Sequence, residues 1–180
     1  VGGGSFNTAA ALPGAGSYTD AVFEGEMVFF RVRLDWGQGL AYRIRFGDRA
    51  YVQTRWYNPA RYEMGVDFAA STNQEETTLN GLTDAIGGPP VRYRNRELNT
   101  TESRVSVAGW YYIAVLVDHR AATTPLTVTI DVSVTGNTQP GPGYLGDTGK
   151  DPFGDQSGGS ARSSGDTSAY PWMIASCLPR

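Results

Sequence analysis

In the stretch 126–134, Leu126, Val128, Ile130, Val132 and Val134 alternate strictly with Thr127, Thr129, Asp131 and Ser133. A period of two is the signature of a strand with one buried face, and no helix accommodates it. The same alternation runs through 28–34, where Val28, Phe30, Val32 and Leu34 interleave with Phe29, Arg31 and Arg33. It returns in 40–46, where Leu40, Tyr42, Ile44 and Phe46 interleave with Ala41, Arg43 and Arg45. A different pattern, "WYYIAVLV" at 110–117, is apolar at every position and predicts a central strand covered on two sides. With "YTDAVF", "YVQTRWY" and "YEMGVDFAAS" added, the chain holds about seven or eight short strands joined by Gly, Pro and Asn turns and no amphipathic helix of useful length. The expected fold is all-β, an antiparallel sandwich of the jelly-roll kind.

Between the first two alternating runs lies Asp35-Trp36-Gly37-Gln38-Gly39. A tryptophan beside a carboxylate, an amide and two glycines has the groups to hold a sugar or a metal. The alternating flanks instead favour a tight turn closing an antiparallel hairpin, with Gly37 and Gly39 supplying positive φ angles and Asp35 bonding the amides ahead of it. Both strands of that hairpin are expected to present an apolar side and a basic side.

The glycine-rich opening, residues 1–16, reads as a leader, and Ser17–Gly136 as the domain. Residues 137–169, rich in Gly, Ser, Pro and Asp, bury too little to offset their ordering entropy and read as a disordered, flexible linker. Deleting everything after Tyr144 is therefore expected to leave the sandwich intact. The last stretch, 170–180, "YPWMIASCLPR", is a short apolar tail with a free Cys177. Ile174-Ala175-Ser176-Cys177 has the look of a lipidation site, but it lacks the upstream apolar run and the N-terminal position.

A net charge of −3 argues against nucleic acid as a partner. No stretch approaches the length of a membrane span. With one cysteine and one histidine, an intrachain disulfide, a cysteine zinc site and a histidine cluster are all out of reach. His119, in "VDHRAATTP", follows a strand beside Asp118; neighbours on an extended chain point to opposite faces, so a solvated turn histidine is expected, not a triad member. Glu75 with Glu76 and Asp35 with Asp48 are acidic pairs of ordinary polar loops, and no D-x-D-x-D-G run offers a calcium loop. No catalytic residue, cofactor or metal is expected.

Two sets of side chains remain as partner or ligand contacts. Arg92, Arg94 and Arg96 alternate, so in a strand they form a one-sided basic row, joined by Arg43 and Arg45. Such a row suits an anionic glycan, a phosphate-bearing envelope polymer or an acidic protein face, and it also suits plain charge protection of a sheet edge. Trp36, Trp56 and Tyr57 would make an aromatic platform for a polysaccharide if they shared a groove. Trp56 and Trp110 also read as core residues.

"GSYTDAVFEGEMVFFRVRLDWGQGL" resembles the first half of the bacterial pre-peptidase C-terminal domain: a short strand, a Gly-Glu turn, an aromatic strand, then a glycine turn leading to a leucine. "AGWYYIAVLVD" is similar to that family's later glycine-aromatic-valine strand. The chain also resembles the related extracytoplasmic domain of actinobacterial surface proteins that carry von Willebrand A-type modules, where "PPVRYRNRE" and "GPGYLGD" would sit. The resemblance covers most of Ser17–Tyr144, apart from a long insertion between Ala70 and Val91. It implies a secreted or cell-surface sandwich that accompanies other protein modules or envelope components and brings no catalytic residues of its own.

Overall fold

The computed structural model describes residues 1–47, 50–71, 77–80, 88–120 and 124–142. Among the described residues nine strands follow in chain order: β1 Ala10–Leu12, β2 Gly16–Val22, β3 Met27–Leu34, β4 Gly39–Phe46, β5 Ala50–Tyr57, β6 Glu63–Ser71, β7 Thr77–Asn80, β8 Gly109–Arg120 and β9 Leu126–Thr135. They form a five-stranded sheet, β1-β3-β8-β5-β6, packed on a four-stranded sheet, β2-β9-β4-β7. The all-β sandwich is the fold that the alternation demands. Its ladders are antiparallel except for β1, which pairs parallel to β3 through Ala10↔Phe30. No helix among the described residues is long and apolar enough to cross a membrane.

The core is the set of inward residues on the two facing sheets. Val28, Phe30, Val32 and Leu34 of β3 meet Tyr111, Ile113, Val115 and Val117 of β8, and across the gap lie Leu40, Tyr42, Ile44 and Phe46 of β4 and Leu126, Val128, Ile130 and Val132 of β9. One polar pair spans the sandwich: the Tyr42 and Thr54 hydroxyls are bonded at 3.1 Å, which satisfies Thr54 where no water reaches. Tyr111, equally buried, donates its hydroxyl to the Val107 carbonyl at 2.9 Å, and burial pushes its pKa far up.

Three expectations change. First, β3 and β4 are not a hairpin. β3 pairs with β8 and β1, β4 with β9 and β7, so DWGQG carries the chain from one sheet to the other. Alternation specifies which face of a strand is buried but not which strand lies beside it. Among the described strands the one pairing of sequence neighbours is β5 with β6, around the turn at Asn58 and Pro59. That turn closes with Tyr62 N–H on the Asn58 side chain at 2.9 Å and with Arg61 at φ 62°.

Second, parts of residues 1–16 are built into the five-stranded sheet. Besides β1, Gly3 exchanges both backbone hydrogen bonds with Phe29, at 3.0 and 2.7 Å, and the Gly2 amide donates to the buried Asp20 carboxylate. Small residues carry too weak an alternation to announce such a strand.

Third, the outer side of β3 is not simply basic. Phe6 folds over it, its ring centre 4.8 Å from Phe29, 4.9 Å from Tyr57 and 5.2 Å from Tyr112, closing a second apolar cluster with Ala9 and Ala114. The expectation that β8 is central and covered on both faces agrees with this arrangement.

On the outer face of the four-stranded sheet, Asp131 of β9 accepts from Arg45 Nε at 2.7 Å and from the Ser17 hydroxyl, tying β2, β9 and β4 side by side. The hydrogen bond from Arg45, then that from Ser17, holds the Asp131 carboxyl below its usual pKa. A depressed carboxylate pKa stabilises the fold above the unfolded value, and that contribution fades as pH falls through the folded one. Asp131→Asn is therefore expected to cost up to about 1 kcal/mol at neutral pH, with the gap to the parent closing below about pH 4, as read by urea unfolding at several pH values.

Candidate functional site

DWGQG stands at one end of the sandwich as a junction of three chain segments. The arch closes on itself through Gln38 N–H to Asp35 O at 3.1 Å and Asp35 N–H to the Gln38 side-chain oxygen at 2.9 Å. The capping acceptor is thus Gln38; the Asp35 carboxylate turns instead to Arg33, 3.7 Å away. The backbone of the arch then binds its neighbours. Gly37 N–H donates to Val91 O and Val91 N–H to Gln38 O, both at 2.8 Å, and Gln139 N–H donates to Trp36 O at 2.7 Å. Every polar backbone group so used is one fewer available to a ligand.

The two glycines serve different ends. Gly37 sits at φ 83°, and a Cβ there would lie 2.5 Å from Asn137 O. Gly39 has no such dihedral; a Cβ there would lie 2.5 Å from Gly88 O, so close approach of two backbones is what requires it. Half-buried Trp36 packs against the core on one side and against Gly141 on the other, where a Cβ would lie 2.6 Å from its Nε1. The first residues of the segment read as a linker are therefore fixed to the domain.

The arch seats the arginine segment. Val91 is wholly buried, and Asn95 is buried with its amide donating to Pro90 O at 2.9 Å and Val105 O at 2.7 Å. Past Val91 the chain forms a 3-10 turn, Tyr93–Glu97, with Asn95 as its buried residue, followed by a second, Thr101–Arg104. The strand expected for "VRYRNRE" is absent: Asn95, a polar residue satisfied by two carbonyls, winds the chain where alternation suggested extension. Arg92, Arg94 and Arg96 consequently do not share one strand face, but all three are exposed. Arg96 stacks on Tyr93 with its guanidinium carbon 3.6 Å from the ring centre. Arg43 and Arg45 belong to the outer face of the four-stranded sheet, where Asp131 holds Arg45.

The aromatic trio does not assemble. Trp56 is 6 % exposed and points into the core over Gly65; Tyr57, its neighbour in β5, points the other way onto Phe6; Trp36 is at the arch. Burial first, then Glu63, raises the Tyr57 pKa. Trp110, read as a core residue, packs half-buried on the second cluster under Arg31.

His119 lies inside β8, opposite Tyr51, not in a turn. Among the described residues no three His, Cys, Asp or Glu side chains converge as metal ligands would. Asp48, Glu75, Glu76, Cys177 and the rest of 143–180 lie outside the described residues.

No protein-family model matches the chain, and no curated protein does. Among solved structures it is similar to the pre-peptidase C-terminal domain of a Bacillus anthracis collagenase, at 8 % identity and a TM-score of 0.39, over 69 % of this chain and 93 % of that one. It is also similar to PliG of Aeromonas hydrophila, a periplasmic inhibitor of g-type lysozyme, at 11 % identity and a TM-score of 0.34, over 69 % of this chain and 96 % of that one. These are likenesses of fold. The sandwich itself rests on the two sheets and their registers.

Proposed function

We propose that this chain is a noncatalytic extracytoplasmic sandwich module that docks, spaces or stabilises parts of a larger cell-surface or envelope assembly. The observation that carries the reading is the fixed presentation of exposed cations: Arg92, Arg94 and Arg96 project from a short segment pinned by Val91 and Asn95 to the arch and the core. A segment whose backbone is already held loses less entropy on association than a loose loop. The resemblance of "GSYTDAVFEGEMVFFRVRLDWGQGL" and "AGWYYIAVLVD" to pre-peptidase C-terminal domains supports the extracytoplasmic setting. The polysaccharide alternative depends on Trp36, Trp56 and Tyr57 sharing a groove, and their separation gives it no support.

The test immobilises the chain and washes it with envelope extract at two ionic strengths. Reversing Arg92, Arg94 and Arg96 to glutamate is expected to cut retention of the bound material severalfold, more at low salt, where exposed charges are screened least. His119→Ala is expected to retain as the parent does. Retention that depends on His119 and ignores the arginines would overturn the docking reading.

A further inference from the structure

Arg31 of β3 and Trp110 of β8 lie on the outer face of the five-stranded sheet. In the antiparallel ladder Arg31 is opposite Tyr112 and Arg33 opposite Trp110, so Arg31 and Trp110 are diagonal neighbours. The Arg31 guanidinium stacks on the indole, its carbon 4.6 Å from the ring centre. Arg31 Nε and Trp110 Nε1 are both shielded from solvent, and neither has a hydrogen-bond acceptor among the described residues. Both groups only donate, so neither can satisfy the other. Buried indole and guanidinium N–H groups ordinarily find an acceptor.

The surrounding charge narrows what that acceptor is. Asp35 lies 3.7 Å from Arg33, and Glu63 lies 3.2 Å from Arg55, but no carboxylate among the described residues pairs with Arg31. One guanidinium and one neutral N–H match the two oxygens of a single carboxylate. A phosphate dianion or a sulfated polymer calls for several unpaired cations at one point. Both residues keep part of their side chain at the surface, so an incoming group reaches them by side-chain adjustment, not by opening the sheet.

The neighbourhood indicates who brings the carboxylate. Through Tyr112 and Tyr57 the face runs on to Phe6, with Arg61 stacked on it at 5.4 Å. Arginine, tyrosine and tryptophan side by side are the composition of protein interface centres. We propose that Arg31 and Trp110 form a carboxylate-recognition point where an acidic segment of a partner protein docks on the five-stranded sheet. The proposal rests on the docking reading above and assigns it a second surface with a defined partner chemistry.

The probe is end-capped tetraglutamate, titrated into the full ¹⁵N-labelled chain while the indole N–H signals are followed; Trp110→Phe assigns the Trp110 signal. The Trp110 indole signal is expected to shift and saturate with tetraglutamate and to stay put with tetraglutamine. Arg31→Lys, which keeps the charge but loses the planar stack, is expected to weaken the binding at least tenfold at the Trp110 indole, and Trp110→Phe to weaken it as much at the backbone amides of Arg31 and Tyr112, which are followed in all three proteins, with the thermal midpoints of both variants checked against the parent. Reversal of Arg92, Arg94 and Arg96 is expected to leave the titration unchanged. A Trp110 signal that ignores tetraglutamate, equal affinity in folded Arg31→Lys and Trp110→Phe, or tighter binding of inorganic phosphate or heparin at the same indole would overturn the proposal. If tetraglutamate binds as expected but the immobilised chain retains nothing from envelope extract, the carboxylate point stands and the docking reading falls. If retention survives and the indole does not move, the reverse holds.

Discussion

Gly37→Val is expected to destabilise the fold by about 3 kcal/mol or more, a loss large enough to show as a clear drop in the urea midpoint. Two independent penalties add at that position. A β-branched residue is forced to φ 83°, and its Cβ meets the Asn137 carbonyl at 2.5 Å. Gly39→Val suffers only the second kind, against Gly88 O at 2.5 Å, and Gly39→Ala meets the same wall, so alanine should be little better than valine there. Were DWGQG a free surface turn, both positions would accept substitution with little change. An unaltered midpoint in Gly37→Val would show that the arch is not the junction described here.

Trp56→Ala is expected to cost about 3 to 5 kcal/mol, the usual loss when a large aromatic is cut out of a core. Trp56 is 6 % exposed and belongs to the main cluster with Met64 and Ile113. The sugar-platform reading makes the opposite statement, because an exposed stacking tryptophan can be removed with a change near zero. Thermal or urea unfolding of this one variant separates the two.

The buried faces were legible before the sandwich was. Ile130 and Val132 of β9 and Ile44 and Phe46 of β4 are inward, as their spacing requires, and the all-apolar run of β8 is covered on both sides. Partner strands were not legible, because every described ladder but β5 with β6 joins strands that are not sequence neighbours, and alternation carries no information about which strand lies alongside. Arg92, Arg94 and Arg96 read as a strand row because their period is two; the turn they occupy is dictated by Asn95 and its two distant carbonyls, Pro90 O and Val105 O. Arg31 and Trp110 were visible separately, as a basic outward position and an apolar-strand tryptophan. Their contact depends on the β3–β8 register, which pairs positions about 80 residues apart and which no local pattern encodes. Phe6 was missed for a related reason: its partners Phe29, Tyr57 and Tyr112 come from three different strands.

The central claim is that DWGQG is a structural junction holding the exposed arginine segment in place, and amide hydrogen exchange measures it directly. The amides of Gly37, Val91 and Gln139 each donate into this junction, to Val91 O, Gln38 O and Trp36 O. They are expected to be protected well above neighbouring exposed amides, and to lose that protection together in Gly37→Val under conditions where the core amides of β8 remain protected. Fast exchange of Val91 and Gln139 in the parent, or their indifference to Gly37→Val, would contradict it.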